Sequence, residues 1–228
     1  MFFDMTYLWL VMIPTLLLSF GVQMYLKSTF SKWSKVPNSA NLVGPQVAQV
    51  LFDRTELDGI PVQRIPGSLT DHFDPGANIV RLSDPVSSQP SIAAMAVTAH
   101  ELGHVQQYQD KSMLIGMRSF LLPAVRFSPT VSYMLIMAGF FINATGLIWA
   151  GILFFGVSVL FSLLTVPVEI DASRRGLILL REAGLLQNEQ DASGARAVLT
   201  AAALTYIAAL ITSVLTLLYY VSLAQRRN

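Results

Sequence analysis

With 228 residues, of which 53% are hydrophobic and only 13% charged, the chain has too little polar surface to clothe a soluble globule of its size, so a membrane protein is the expected class. A formal net charge of +1 gives no indication of nucleic-acid binding, and the absence of cysteine excludes both a disulfide framework and a thiolate metal site. Any metal must be held by His, Asp or Glu.

The charges are segregated along the chain: Met5 to Leu26, Phe127 to Val168 and Ala197 to Ala224 contain no Asp, Glu, Lys or Arg. A helix rises about 1.5 Å per residue and the hydrocarbon core is roughly 30 Å thick, so about 20 apolar residues make one crossing. Four spans are predicted, at about 5 to 26, 120 to 142, 147 to 168 and 201 to 222. The two central ones are separated by the turn-forming run Asn143-Ala144-Thr145-Gly146. That run also matches a glycosylation acceptor, for which a short turn at a membrane is poorly suited. The first span has Asp4 in place of a basic leader and no small-residue cleavage site before Lys27, so it reads as a retained anchor. Arg126 is the sole charge in the second hydrophobic run and is expected to snorkel to the interface.

Residues 27 to 118 form one extramembrane segment without repeats or low-complexity tracts. Within it a helix is predicted over Pro45 to Leu57, with Val47, Val50 and Leu51 on its apolar face. Strands are predicted over Ile60 to Ile65 and Asn78 to Leu82, with a turn at Asp74-Pro75-Gly76 between them. After Ser87-Ser88-Gln89-Pro90-Ser91 a second helix should run from about Pro90 to Tyr108, burying Ile92, Met95, Ala99, Leu102 and Val105.

On another face of that helix stand His100 and His104, four residues apart and therefore one turn above each other. This spacing lets two imidazoles converge on one zinc ion, and the intervening Glu101 is placed to take a proton from a metal-activated water and return it to a leaving amine. In a chain with only three histidines, an accidental match to this pattern is on the order of 0.1%. Gly103 removes a side chain between the histidines and should allow a neighbouring element to pack closely.

A peptidase zinc site takes three protein ligands and leaves a position for water. Glu169 and Asp171, directly after the third span, are the leading candidates for the third ligand; Asp71, His72 and Asp74 compete. Residues two apart on a helix point about 200° away from each other, so only one of the acidic pair can face the histidines, and Glu169 has the longer reach. His72 is expected in a loop before the turn, either as a surface residue or as a donor to the oxyanion of the tetrahedral intermediate, a role for which a tyrosine such as Tyr206 is the other candidate.

Lysine and arginine placement puts residues 27 to 118 and 169 to 199 in the cytoplasm and both termini outside. Arg226 and Arg227 oppose that orientation. The implied organisation is an anchor at 1 to 26, a metallopeptidase segment at 27 to 118, a membrane hairpin at 119 to 168, a segment with the third ligand at 169 to 199 and a last membrane helix at 200 to 228.

Several runs carry a resemblance: Leu69-Thr70-Asp71-His72-Phe73-Asp74-Pro75, Val80-Arg81-Leu82-Ser83, Ser91-Ile92-Ala93-Ala94, Ala99-His100-Glu101-Leu102-Gly103-His104, Val166-Pro167-Val168-Glu169-Ile170-Asp171-Ala172-Ser173 and Ala203-Leu204-Thr205-Tyr206. In these the sequence resembles the YugP-type neutral zinc metallopeptidases of bacterial membranes, in the family's order and over most of the chain. More distantly it is similar to HtpX-type membrane peptidases with a gluzincin-like core. There the third ligand is a Glu followed by Ala at the third and Asp at the fourth position. Glu169 and Ala172 match, but Ser173 stands in place of the Asp, so the hydrogen bond to a zinc histidine would fall to Ser173 or Asp171.

The resemblance implies a mainly α fold, with four transmembrane helices and a small α+β cytoplasmic zinc-peptidase domain. It implies one zinc ion per chain on His100, His104 and Glu169, with Glu101 as general base, in a bacterial plasma-membrane protein. Membrane-proximal or unfolded polypeptide is the expected substrate, with Asn78 to Leu82 as a candidate edge strand to receive it. The lipid bilayer, other membrane proteins and further copies of the chain are the remaining expected partners. A non-hydrolytic zinc-binding scaffold is the alternative, although it would not need Glu101. A transporter or channel would want polar residues inside its spans.

Overall fold

The computed structural model describes residues 5–225; Asp4, Arg226 and Arg227 lie outside the described residues. Mainly helical, it carries four helices long and apolar enough to cross a membrane, at Met5–Ser34, Met113–Phe141, Thr145–Glu182 and Glu189–Gln225. The first comprises α1 (Met5–Tyr7), a π-helical turn (Leu8–Met12) and α2 (Ile13–Ser34). Pro14 has no N–H to give and crowds the preceding turn, and a locally widened helix relieves that conflict.

Between the first two long helices come α3 (Gly44–Arg54), β1 (Val62–Ile65), β2 (His72–Asp74), β3 (Ile79–Ser83), α4 (Asp84–Ser88) and α5 (Ile92–Gln109); the other long helices are α6 (Met113–Phe141), α7 (Thr145–Glu182) and α8 (Glu189–Gln225). The turn between α6 and α7 falls where expected. Asn143 adopts a left-handed conformation, φ 54°, and the Ala144 N–H closes back onto Gly139 O at 2.9 Å. The long helices overrun the predicted spans: α7 runs through Pro167, passes Val168 and continues to Glu182. It ends at Gly184, φ 70°, with Leu185 N–H bonded to Leu180 O at 2.9 Å.

The chain divides into two compact units. One takes the residues up to Val22, Met113–Pro167 and Thr205 onward; the other takes Gln23–Ser112 and Val168–Leu204. The second unit holds the sheet, in the order β1-β3-β2, with β1 parallel and β2 antiparallel to β3. β2 is absent from the sequence expectation, and it places His72 in a strand where a loop was predicted. The sheet order also corrects the substrate-edge expectation. The strand predicted over Asn78 to Leu82 is β3, the central strand, with Ile79, Val80 and Leu82 buried, so the free edges belong to β1 and β2.

Helix α5 lies at the centre of this unit. Ser91 caps it, its hydroxyl accepting from Ala94 N–H at 3.1 Å. Pro90 stays outside, its carbonyl receiving Asn38 N–H at 3.0 Å. Ile92, Met95, Ala99, Leu102 and Val105 are fully buried; covering each larger side chain contributes about 1.5–3 kcal/mol. Ala93, Ala94, Ala96 and Thr98 are buried too. α5 is thus enclosed on most sides, and its small residues admit close neighbours.

Candidate metal centre

Along α5 the His100 and His104 rings stand one turn apart, with centroids separated by 4.8 Å. α7 brings Glu169 against both. Its Oε2 lies 3.3 Å from His100 Nε2 and 3.5 Å from His104 Nε2, and Glu169 is only 2% exposed. One potential ligand atom from each residue falls within 4.8 Å of the others. The approach depends on two glycines. A Cβ on Gly103 would collide with Ala172 O, and one on Gly176 would sit 2.6 Å from Ala99 O. The helices therefore meet backbone to backbone around the histidines, and the Glu169 side chain spans what remains.

The outer nitrogens of both rings are occupied. His104 Nδ1 lies 3.0 Å from Gln107 Oε1, while Gln107 Nε2 donates to Val168 O at 2.9 Å and to Asp171 Oδ2 at 2.8 Å. With its amide nitrogen committed to two acceptors, Gln107 can only accept from the histidine, so Nδ1 carries the proton and the neutral ring turns a bare Nε2 toward Glu169. His100 Nδ1 lies 3.1 Å from Ser173 Oγ. An imidazole lone pair and a carboxylate converging in a buried place repel one another unless a cation or a proton lies among them. Burial alone would lower the His104 imidazole, yet contact with Glu169 and the Glu101 charge hold it above its ordinary value. Two nitrogens and a carboxylate oxygen suit zinc, and the residues present fit that ion.

Comparison with known proteins agrees with this chemistry. A family described as "Putative neutral zinc metallopeptidase" matches residues 8–225. The chain belongs to this family. It is also 39% identical over 209 residues to a Bacillus subtilis (strain 168) protein named "Putative membrane protease YugP", covering 92% of each. No solved structure matches.

Within this metallopeptidase-family chain, Glu101 stands beside the cluster and outside it. Its Oε2 accepts the Phe73 backbone N–H at 2.8 Å, so the unforeseen strand β2 fixes the carboxylate. Burial pushes the Glu101 carboxyl above the usual carboxylate range; the Asp71 and Glu169 charges push the same way, and the histidines oppose them. The rival ligands are engaged elsewhere. Asp71 accepts from Ser83 N–H at 2.7 Å and Ser83 Oγ at 2.9 Å, tying the approach to β2 onto β3. Asp74 pairs with Arg81 at 2.6 Å and accepts the Gly76 and Ala77 N–H groups of its turn. Exposed His72 bonds through Nδ1 to Thr70 O at 2.9 Å. Asp171 receives Gln107 and, at 2.7 Å, Arg175 Nε. Tyr206 stands on α8, and Arg126 is an exposed residue of α6.

Gln107 is the residue that sequence reasoning missed. It is 1% exposed and links His104 to α7 and Asp171. Its position three residues after His104 on one helix, where side chains share a face, was the available signal. Gln107→Leu keeps the volume and removes all three bonds, leaving His104 free to turn or change tautomer. Zinc affinity, measured by competition with a chelating dye, is expected to fall about 10- to 100-fold. Unchanged affinity would show that packing alone orients the ring.

Proposed function

We propose that the chain is a membrane-embedded zinc-dependent endopeptidase acting on membrane-proximal or unfolded polypeptide. The observation that carries this reading is the convergence of His100, His104 and Glu169 beside the buried, strand-anchored Glu101. His100 Nε2, His104 Nε2 and the Glu169 carboxylate are the ligands. A bound zinc ion supplies Lewis acidity, polarising a carbonyl and acidifying a water. Glu101 takes the proton of the attacking water on its carboxylate and passes it to the departing amine nitrogen. Burial raises its affinity for protons, which suits that exchange. Gln107 and Ser173 hold the rings in orientation.

The sheet order supports β2 as the edge that receives an extended substrate. β3 covers one side of β2, and the Phe73 N–H points away from that ladder toward Glu101. A polypeptide laid along that edge would pass the general base.

The test is metal analysis and an unbiased peptide-cleavage assay on detergent-purified protein. The native chain is expected to hold about one zinc ion and to cleave; His100→Ala with His104→Ala is expected to lose both, because two of three ligands are gone. Full zinc occupancy in the double variant would overturn the assignment.

We assign residues 27 to 118 and 169 to 199 to the cytoplasmic side, from the clustering of Lys and Arg there. Ser68 is exposed, in the segment between β1 and β2, and the chain has no other cysteine to confuse the labelling. Ser68→Cys in intact cells is expected to resist a membrane-impermeant thiol reagent until the cells are opened. Ready labelling of intact cells would reverse the orientation.

A further inference from the structure

α7 and α8 continue beyond their apolar spans as an antiparallel pair, and between residues 170 and 203 they leave a groove of about 580 Å³. Each helix contributes one stripe to it. Ile170, Arg174, Leu177, Ile178 and Arg181 follow one another at helical spacing on α7, and Arg196, Leu199, Thr200 and Ala203 do so on α8. The lining is therefore apolar wall with three guanidinium groups, and no Asp or Glu takes part in it. Arg174, Arg181 and Arg196 are all exposed and join no ion pair among the described residues. Asp171, on the same helix, is already held by Gln107 and Arg175.

Three like charges around one apolar groove repel one another unless an anion lies among them. The groove begins at Ile170, just past the charge-free stretch of α7, and on α8 it runs from Ala203 to Arg196, across the end of the charge-free stretch that starts at Ala197. Arg174 is about 6 Å along the helix from Ile170, and Arg181 about 16 Å, at about 1.5 Å per residue. Phosphate groups of the bilayer surface are the abundant anions at that level, and guanidinium recognises phosphate through paired hydrogen bonds. The groove is also distinct from the metal centre. Ser173, whose hydroxyl meets His100 Nδ1, is among its lining residues, so an occupant lies on the Nδ1 side of the imidazole, away from the Nε2 that faces Glu169.

We propose that this groove binds an anionic glycerophospholipid, with its phosphate held by Arg174, Arg181 and Arg196 and an acyl chain laid along Ile170, Leu177 and Leu199. The inference does not depend on zinc or on peptidase activity.

The experiment is native mass spectrometry of the detergent-purified full chain, titrated separately with dioleoylphosphatidylglycerol, dioleoylphosphatidylcholine and inorganic phosphate. Phosphatidylglycerol is expected to be retained about tenfold more tightly than phosphatidylcholine. The triple variant R174Q/R181Q/R196Q is expected to lose that preference. Thr200→Trp leaves every charge in place and fills the groove, and it is expected to lose the preference as well. It keeps the proposal testable should the triple variant fail to fold. Equal retention of the two lipids by the native chain would overturn the proposal. Full preference in Thr200→Trp would do the same, by reducing the effect to diffuse surface charge. Inorganic phosphate binding as tightly as phosphatidylglycerol would leave a simple anion site and overturn the lipid assignment.

Discussion

Glu101→Gln is expected to keep its zinc and lose its turnover, by about 10²- to 10⁴-fold, the range general acid–base catalysis supplies. The amide oxygen of the variant can still accept the Phe73 N–H that Glu101 Oε2 accepts at 2.8 Å, so β2 keeps its place against α5. The volume is unchanged in a buried site. What disappears is the capacity to hold a proton between the attack of water and the departure of the amine. The measurement pairs zinc content with single-turnover cleavage of a peptide, the native chain beside the variant. Native-level turnover with zinc retained would remove Glu101 from the chemistry and favour a zinc-binding scaffold.

The second large effect separates the two acids of α7. Glu169→Gln is expected to lose zinc at micromolar free metal and all cleavage with it, because an amide oxygen is a far poorer zinc ligand than a carboxylate. Asp171→Asn is expected to bind zinc only about 10- to 100-fold more weakly and to recover when zinc is saturating. The geometry separates the roles. Glu169 Oε2 lies 3.3 and 3.5 Å from the two Nε2 atoms, whereas Asp171 Oδ2 faces Gln107 at 2.8 Å and Arg175 at 2.7 Å. Zinc affinities of the two variants measured side by side at neutral pH decide the matter. Loss of metal from Asp171→Asn with retention in Glu169→Gln would exchange the assignments.

The departure at Ser173 shows how one position can be filled by different chemistry. In the HtpX-like pattern an Asp follows the ligand by four residues; here Ser173 occupies that position and its hydroxyl still meets His100 Nδ1 at 3.1 Å. Asp171 reaches the other histidine through Gln107. Both rings thereby keep a partner on Nδ1, one directly and one through an intermediary.

Some features were readable from the chain alone because they are local. Charge-free stretches long enough to cross a bilayer, the Asn143 turn, the buried stripe of α5 and the His100–Glu101–His104 spacing each depend on residues within a few turns of one another. Nothing distant has to be known to place them.

The rest was decided by tertiary structure. β2 is three residues long, too short to show alternation, and exists because β3 pairs with it. Whether β3 lies at an edge or at the centre depends on strands both before and after it, which no pattern within Asn78 to Leu82 encodes. The surroundings of the histidines are assembled over still longer separations: 28 residues from Phe73 to Glu101, 61 from Gln107 to Val168, 73 from His100 to Ser173. At such distances local propensity carries no information. Two glycines that let α5 and α7 touch at the backbone bring Glu169 to the histidines. The sequence alone determined which residues could bind a metal; the packing of α7 on α5 decided which of them meet.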